Sequence, residues 1–188
     1  MKQHDKLLTI CEGAIFIAAA LALSYLKIPT GVTFGGFGGS IDFVMIPLIV
    51  YAVRRGLGWG IAAGLIFGTL KYFFAGGAAV NWQSMLLDYS LAYAAVGFAG
   101  LFRGKPRGLV PGAICGCVAR FIIHFISGVT IYAQYMPEEF LGMKMHGAAI
   151  YSVLYNGTYM LPNTVIAVII CALLTKPLRK FIVNAEKG

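Results

Sequence analysis

The chain reads as long apolar runs separated by short polar or glycine-rich breaks. The runs are Leu7–Ile28, Ile41–Val53, Leu57–Gly76, Trp82–Phe102, Leu109–Ile131 and Gly147–Thr175. A helix needs about 20 mostly apolar residues to cross the hydrocarbon core of a bilayer, with a usual range of roughly 17 to 25. The pattern therefore predicts an all-α integral membrane protein, with six transmembrane helices in a single domain over residues 1–188. The second run is short and holds Pro47, so its helix enters late or is helped across by the glycine-rich stretch before it. The sixth is long and holds Pro162, which predicts a tilt or a kink. Lys2 and Lys6 ahead of the first run, with Ala20-Leu21-Ala22 inside it, resemble a signal peptide. Glu12 interrupts that run, and the run continues past the small-residue site, so it is expected to stay as the first helix.

Composition strengthens this reading. Of the 188 residues, 59% are hydrophobic and 12% charged, whereas a soluble domain carries about 25% charged residues. A soluble enzyme is excluded. Aromatic residues at 13% exclude a disordered chain, which would be poor in them. The net charge of +8, from 15 Lys+Arg against 7 Asp+Glu, would suit nucleic acid if it formed one patch. It is instead divided among the breaks between apolar runs, so no nucleic-acid partner is expected and membrane lipid is. Cys11, Cys115, Cys117 and Cys171 all lie inside apolar runs without a C-x-x-C pair, so neither a disulfide framework nor a metal site is readable. No cofactor is called for.

Six crossings place both termini, the 2–3 loop and the 4–5 loop on one side. That side holds Lys2, Lys6, Arg54 and Arg55, then Arg103, Lys105 and Arg107, then Lys176, Arg179, Lys180 and Lys187. The opposite side has Lys27, Lys71 and Lys144. The positive-inside rule then puts both termini in the cytoplasm of a multi-pass cell-membrane protein. Trp59 and Trp82 start helices at opposite faces and read as interfacial belt residues.

Ionisable residues inside a span cost a few kcal/mol and are functional candidates. Asp42, Asp88, Arg120 and His124 qualify. Asp42 opens the second helix from outside, and Asp88 lies about 9 Å below the outer start of the fourth, at about 1.5 Å per residue. Arg120 and His124 fall one turn apart in the outer half of the fifth helix. Tyr151, Tyr155, Asn156 and Tyr159 fall in the outer half of the sixth. Polar and aromatic groups of four helices thus converge on one level near the outside. The convergence is either an ion-pair network, Asp88 with Arg120 for instance, or a pocket open to the outside. Buried pairs offset little more than their own desolvation, and the added tyrosines, with Tyr89, Tyr93 and Tyr132, favour a pocket for a planar heteroaromatic or cationic ligand. The stretch Gly31–Ser40 is either a gate over that pocket or a flexible connector. Gly56, Gly60, Gly64 and Gly68 form a small-residue stripe expected to pack against another helix. Ala14, Ala18 and Ala22 form a second stripe, which faces either the bundle or a partner protein.

A phosphate-cradling G-x-x-x-x-G-K-[ST] loop is absent from the sequence, since Gly100–Pro106 has the wrong spacing, so this chain does not itself hydrolyse ATP. Ser127-Gly128 with His124 lacks the glycine that a G-x-S-G serine protease requires, because Phe125 stands there. A transport protein rather than an enzyme is expected. No clear internal repeat supports a stand-alone secondary transporter.

Several motifs together resemble the ThiT family, the thiamine-specific substrate-binding subunits of energy-coupling factor transporters. They are Leu87-Asp88-Tyr89 with Gly97–Arg103, Arg120–Gly128, Tyr151–Gly157, and Ile46-Pro47 with Arg54-Arg55-Gly56. The resemblance covers almost the whole chain. It implies a prokaryotic six-helix subunit that captures thiamine from outside with high affinity. A separate transmembrane coupling protein and two cytoplasmic ATPase subunits would drive it. The implied substrate-binding residues are Asp42, Asp88, Tyr89, Arg120, His124, Tyr132, Tyr151 and Asn156, and the implied partner-docking residues are Ala14, Ala18 and Ala22. The resemblance sets thiamine's thiazolium near Asp42 or Asp88 and its aminopyrimidine near Asn156 and His124. The sequence departs from the family pattern where Asp42 and Asp88 replace glutamates, Arg120 a lysine and Tyr132 a tryptophan, and where no tryptophan stands near Gly38. A subunit for a thiamine precursor or another vitamin is the alternative these departures raise.

Overall fold

The computed structural model describes residues 3–34 and 37–183. Lys2, Lys187 and the tip of the glycine-rich stretch, Gly35-Gly36, lie outside the described residues. The order is α1 (Gln3–Leu23), a hairpin of β1 (Ile28–Phe34) and β2 (Phe37–Ile41), α2 (Met45–Arg55) and α3 (Leu57–Phe74). There follow α4 (Trp82–Phe102), α5 (Leu109–Thr130), a single turn at Tyr132–Tyr135, a two-residue hairpin of β3 (Glu139–Phe140) and β4 (Met143–Lys144), α6 (Ala148–Thr175) and α7 (Arg179–Val183).

Among the described residues, five helices, α1, α3, α4, α5 and α6, are long and apolar enough to cross a membrane. The second apolar run differs: α2 has 11 residues, about 16 Å of helix, roughly half of a hydrocarbon core. Its Leu48, Ile49, Tyr51, Ala52 and Val53 are all buried, so α2 is a core helix sheathed by its neighbours. The chain is mostly helical, as the apolar runs predict, with two short hairpins added. The first helix stops at Leu23 rather than Ile28, where the Ser24 hydroxyl donates to the Leu21 carbonyl at 2.5 Å. Pro29 then disfavours helix at Ile28, and the chain turns into the antiparallel hairpin, Ile28 opposite Ile41 and Thr33 opposite Gly38. Asp42 delays the second helix, its carboxylate accepting from the Val44 amide at 3.4 Å.

Helix α3 packs on α4 through the glycine stripe. A Cβ on Gly64 would stand 2.1 Å from the Tyr93 carbonyl oxygen, and one on Gly68 would stand 2.2 Å from that of Tyr89. Only glycine allows this approach. Helix α4 is itself irregular, a π-helix over Leu86–Leu91 and a 3-10 helix over Gly97–Phe102. Pro162 sits inside α6 without ending it.

At the end of the bundle that carries the α2–α3 and α4–α5 turns, Glu12 joins α1 to α2. Arg54 Nη2 and Nε each reach its carboxylate at 2.8 Å, and Arg55 Nε does so at 2.7 Å. The Arg54 guanidinium also lies 3.7 Å over the Phe181 ring and donates to the Phe181 carbonyl, which seats α7. One carboxylate therefore compensates two half-buried arginines.

Gly64→Ala is expected to cost about 1–3 kcal/mol by overpacking. Gly58→Ala, where an added Cβ would meet nothing within 4 Å, is expected to leave the thermal unfolding midpoint in detergent unchanged or raised. Glu12→Gln leaves two guanidiniums without a counter-charge and is expected to cost about 1–3 kcal/mol, as for loss of a charged hydrogen bond, read as a lowered midpoint in the same assay.

Candidate functional site

At the opposite end the helices enclose a cavity of about 260 Å³. Asp42, Asp88, Tyr89, Arg120, His124, Tyr132, Tyr151 and Asn156 all line it. Each reaches it for a local reason. Asp42 sits in the link from β2 to α2. The π turn of α4 carries both Asp88 and Tyr89, an irregularity frequent at functional sites. Arg120 and His124 are four residues apart on the buried face of α5. Tyr151 and Asn156 lie on the bundle-facing side of α6, and Tyr132 follows α5.

The two carboxylates have different surroundings. Asp42 is 3% exposed, and its Oδ2 accepts from Lys71 Nζ at 2.8 Å. Lys71 Nζ also donates to the Tyr93 hydroxyl at 2.7 Å, and Arg120 Nη2 donates to the same hydroxyl at 3.0 Å. The Arg120 guanidinium lies 4.1 Å from the Tyr93 ring centre. One phenol thus receives two cationic donors, and the charge of Asp42 is already met by Lys71. Asn163 fixes the segment: its Oδ1 accepts from the Asp42 amide at 2.9 Å and its Nδ2 donates to the Ser40 carbonyl at 2.8 Å.

Asp88 has no fixed cation. His124 Nδ1 lies 2.9 Å from its Oδ1, and the Ser127 hydroxyl donates to its Oδ2 at 2.8 Å. Its side chain keeps 17% exposure, the more accessible of the two. The Asp88–Arg120 pair considered from the sequence does not form. Nε and Nη1 of Arg120 and Nε2 of His124 are buried with no hydrogen-bond partner among the described residues.

Aromatic side chains complete the wall. Tyr151 and Tyr155 ring centres stand 5.7 Å apart, and Tyr155 and Tyr159 6.2 Å. The Tyr159 hydroxyl donates to Asn156 Oδ1 at 2.6 Å, while Asn156 Nδ2 donates to the Ser152 carbonyl at 2.9 Å. Tyr89 is fastened to the α3–α4 loop, its hydroxyl accepting from the Ala78 amide at 2.8 Å. Burial, joined by the Asp88 carboxylate, pushes the Tyr132 phenol up to about 12, so it is a neutral group at physiological pH. An accessible carboxylate flanked by flat aromatic faces, with donors opposite, suits a planar cation bearing a second polar group.

Sequence reading missed three residues of this arrangement. The charge rule sets Lys71 among the cations of the outer side, yet it is 8% exposed and neutralises Asp42. The signal was present, because Gly64, Gly68 and Lys71 follow the i, i+4, i+7 spacing of one helix face. Ser127 continues the Arg120–His124 face in the same way, and Asn163 continues the Asn156–Tyr159 face. Ala14, Ala18 and Ala22 lie elsewhere, exposed on the outward side of α1, while Gly13 and Ala20 face the core. The Gly31–Ser40 stretch joins the wall through Gly39 and Ser40, with Gly39 held directly against the Tyr159 ring.

Three comparisons bear on this geometry. Residues 10–183 match the family described as Thiamine transporter protein (Thia_YuaJ). The chain is 33% identical to the thiamine transporter ThiT of Lacticaseibacillus paracasei, over 93% of this chain and 90% of the relative. It is 30% identical to the thiamine transporter ThiT of Bacillus subtilis, over 93% of each. A solved structure of ThiT from Listeria monocytogenes superposes with a TM-score of 0.78 at 28% identity, covering 94% of this chain and 98% of that one. With a family match running from the first helix to the last, the chain belongs to the thiamine transporter protein family.

Proposed function

We propose that the chain binds thiamine from the outer side of a prokaryotic cell membrane, with high affinity, as the substrate-binding subunit of an energy-coupling factor transporter. The observation that carries this reading is Asp88, a carboxylate with no fixed cation of its own, beside a tyrosine-rich wall. In this reading the thiazolium lies against Asp88. The aminopyrimidine meets the polar groups of Asn156 and His124, and the free N–H groups of Arg120 take an acceptor of the ligand. Asp42 positions Lys71 and Arg120 through Tyr93 instead of meeting the cation itself.

Orientation follows the charge rule. The end bearing Arg54, Arg55, Arg103, Lys105, Arg107, Arg179 and Lys180 faces the cytoplasm with both termini, and the cavity faces out. The six-helix arrangement is then five spanning helices wrapped around the half-length α2. The sequence contains no nucleotide-binding loop, so energy comes from elsewhere: two cytoplasmic ATPase subunits acting through a transmembrane coupling protein. The exposed face of Ala14, Ala18 and Ala22 supports docking of that coupling protein, since small residues allow close helix approach. A thiamine precursor is the second reading, favoured by the short Asp88 side chain and by Tyr132 at the cavity.

Calorimetric titration of the detergent-purified chain with thiamine, its precursors and riboflavin tests this. Saturable thiamine binding without ATP is expected, and binding of none of these ligands contradicts the reading. Asp88→Asn keeps the shape and removes the charge, so thiamine affinity is expected to fall by about ten- to a hundredfold, as for loss of a charged hydrogen bond. Ala18→Leu is expected to leave that titration unchanged while lowering ATP-driven thiamine uptake by the assembled transporter in vesicles.

A further inference from the structure

The base of the bundle carries a second concavity, shallow and largely open to solvent, that thiamine capture does not use. Its apolar surface comes from Phe102, Pro106 and Pro111, and its rim carries Lys105, Arg107 and Arg179. All three cations are exposed. Arg54 and Arg55 nearby in the chain fold share Glu12, but none of the three rim cations has a carboxylate partner among the described residues.

The groove is built into the fold. Backbone hydrogen bonds from Gly104 to Val53 at 3.2 Å, Lys105 to Phe102 at 3.3 Å and Gly108 to Lys105 at 2.9 Å fix the α4–α5 turn. Gly104 adopts φ 68°, a conformation that suits glycine. Lys105 Nζ stands 5.1 Å from the Phe102 ring centre. The turn thus holds two cations, and the start of α7 supplies the third. The N-terminal end of α5 opens at the same place, and its dipole adds to the positive potential. Leu101, next in the chain to Phe102, is 55% exposed, and Leu173 near the end of α6 is 71% exposed.

We propose that this groove is a binding site for an anionic diacyl phospholipid. Its phosphate would be held by Lys105, Arg107 and Arg179, and its glycerol and first acyl carbons would lie on Phe102, Pro106 and Pro111. Charge complementarity selects the anionic headgroup, and the apolar floor of Phe102, Pro106 and Pro111, with exposed Leu101 next in the chain, selects a lipid over a free phosphate. Basic pockets between helices at a membrane surface are the sites where such headgroups bind. The inference rests on the reading that this end of the helices lies at headgroup level. It does not depend on which ligand fills the other cavity.

Native mass spectrometry of the full chain, released from nanodiscs of equal phosphatidylglycerol and phosphatidylcholine, reads the retained lipid directly. One phosphatidylglycerol per chain is expected to be retained in preference to phosphatidylcholine. At roughly fivefold per juxtamembrane cation, the preference is expected to be on the order of a hundredfold, and to shrink steeply at about 1 M salt, where screening reaches only about 3 Å. The K105Q/R107Q/R179Q variant is expected to retain the two lipids equally, whereas K6Q/K176Q/K180Q keeps the preference. Equal retention by the unaltered chain overturns the proposal without any variant. Equal loss in both triple variants also overturns it, because the charge would then act diffusely. Displacement of the lipid by millimolar glycerol phosphate alone would make the groove a free-phosphate site and overturn the lipid assignment. Thiamine titration of the same samples separates the two cavities, since thiamine binding is expected to be unchanged in both triple variants.

Discussion

Lys71 is the residue on which the cavity end of this protein depends. Removing a charge from water into a helix bundle costs several kcal/mol unless a counter-charge and hydrogen bonds meet it. Lys71 meets Asp42 and the Tyr93 hydroxyl at once. Tyr93 in turn takes Arg120, so α3, α4, α5 and the link into α2 are tied by one chain of polar contacts. Asn163 adds α6 to the same place. Because Asp42 is spent in this way, the remaining carboxylate, Asp88, is the one whose charge meets only a histidine and a hydroxyl. The chemical asymmetry of the cavity is a consequence of that division.

Packing makes the division possible. The glycines of α3 let the backbone of α4 approach at Tyr89 and Tyr93, which brings Lys71 within reach of the Tyr93 hydroxyl. The π turn over Leu86–Leu91 then presents Asp88 to His124 and Ser127. At the other end a comparable economy holds, with Glu12 shared by Arg54 and Arg55. The rim cations Lys105, Arg107 and Arg179 are left exposed, where screening and water make unpaired charge tolerable.

Much of this was legible in the sequence, because a membrane chain must write its helices as apolar runs. Five of the six runs correspond to helices within a few residues at most ends, and the level shared by Asp88, Arg120, His124 and Asn156 followed from counting. What was not legible came from interactions between distant segments. The hairpin at Ile28–Ile41 continues an apolar run, and only Ser24 and Pro29 mark where helix stops. The length of α2 is set by burial on every side, which allows a helix to stop short of a full crossing. Position along the chain sets Lys71 at the rim of the third run, whereas helix phase puts it on the glycine face, turned into the bundle. The partner of Asp88 was also beyond a sequence count, since the π turn changes which side of α4 meets α5.

The most direct test is a structure of the chain with thiamine bound. The account predicts the thiazolium against Asp88 with the Lys71–Asp42 contact kept near its present 2.8 Å. A thiazolium seated on Asp42, with Lys71 displaced from that carboxylate, would contradict it.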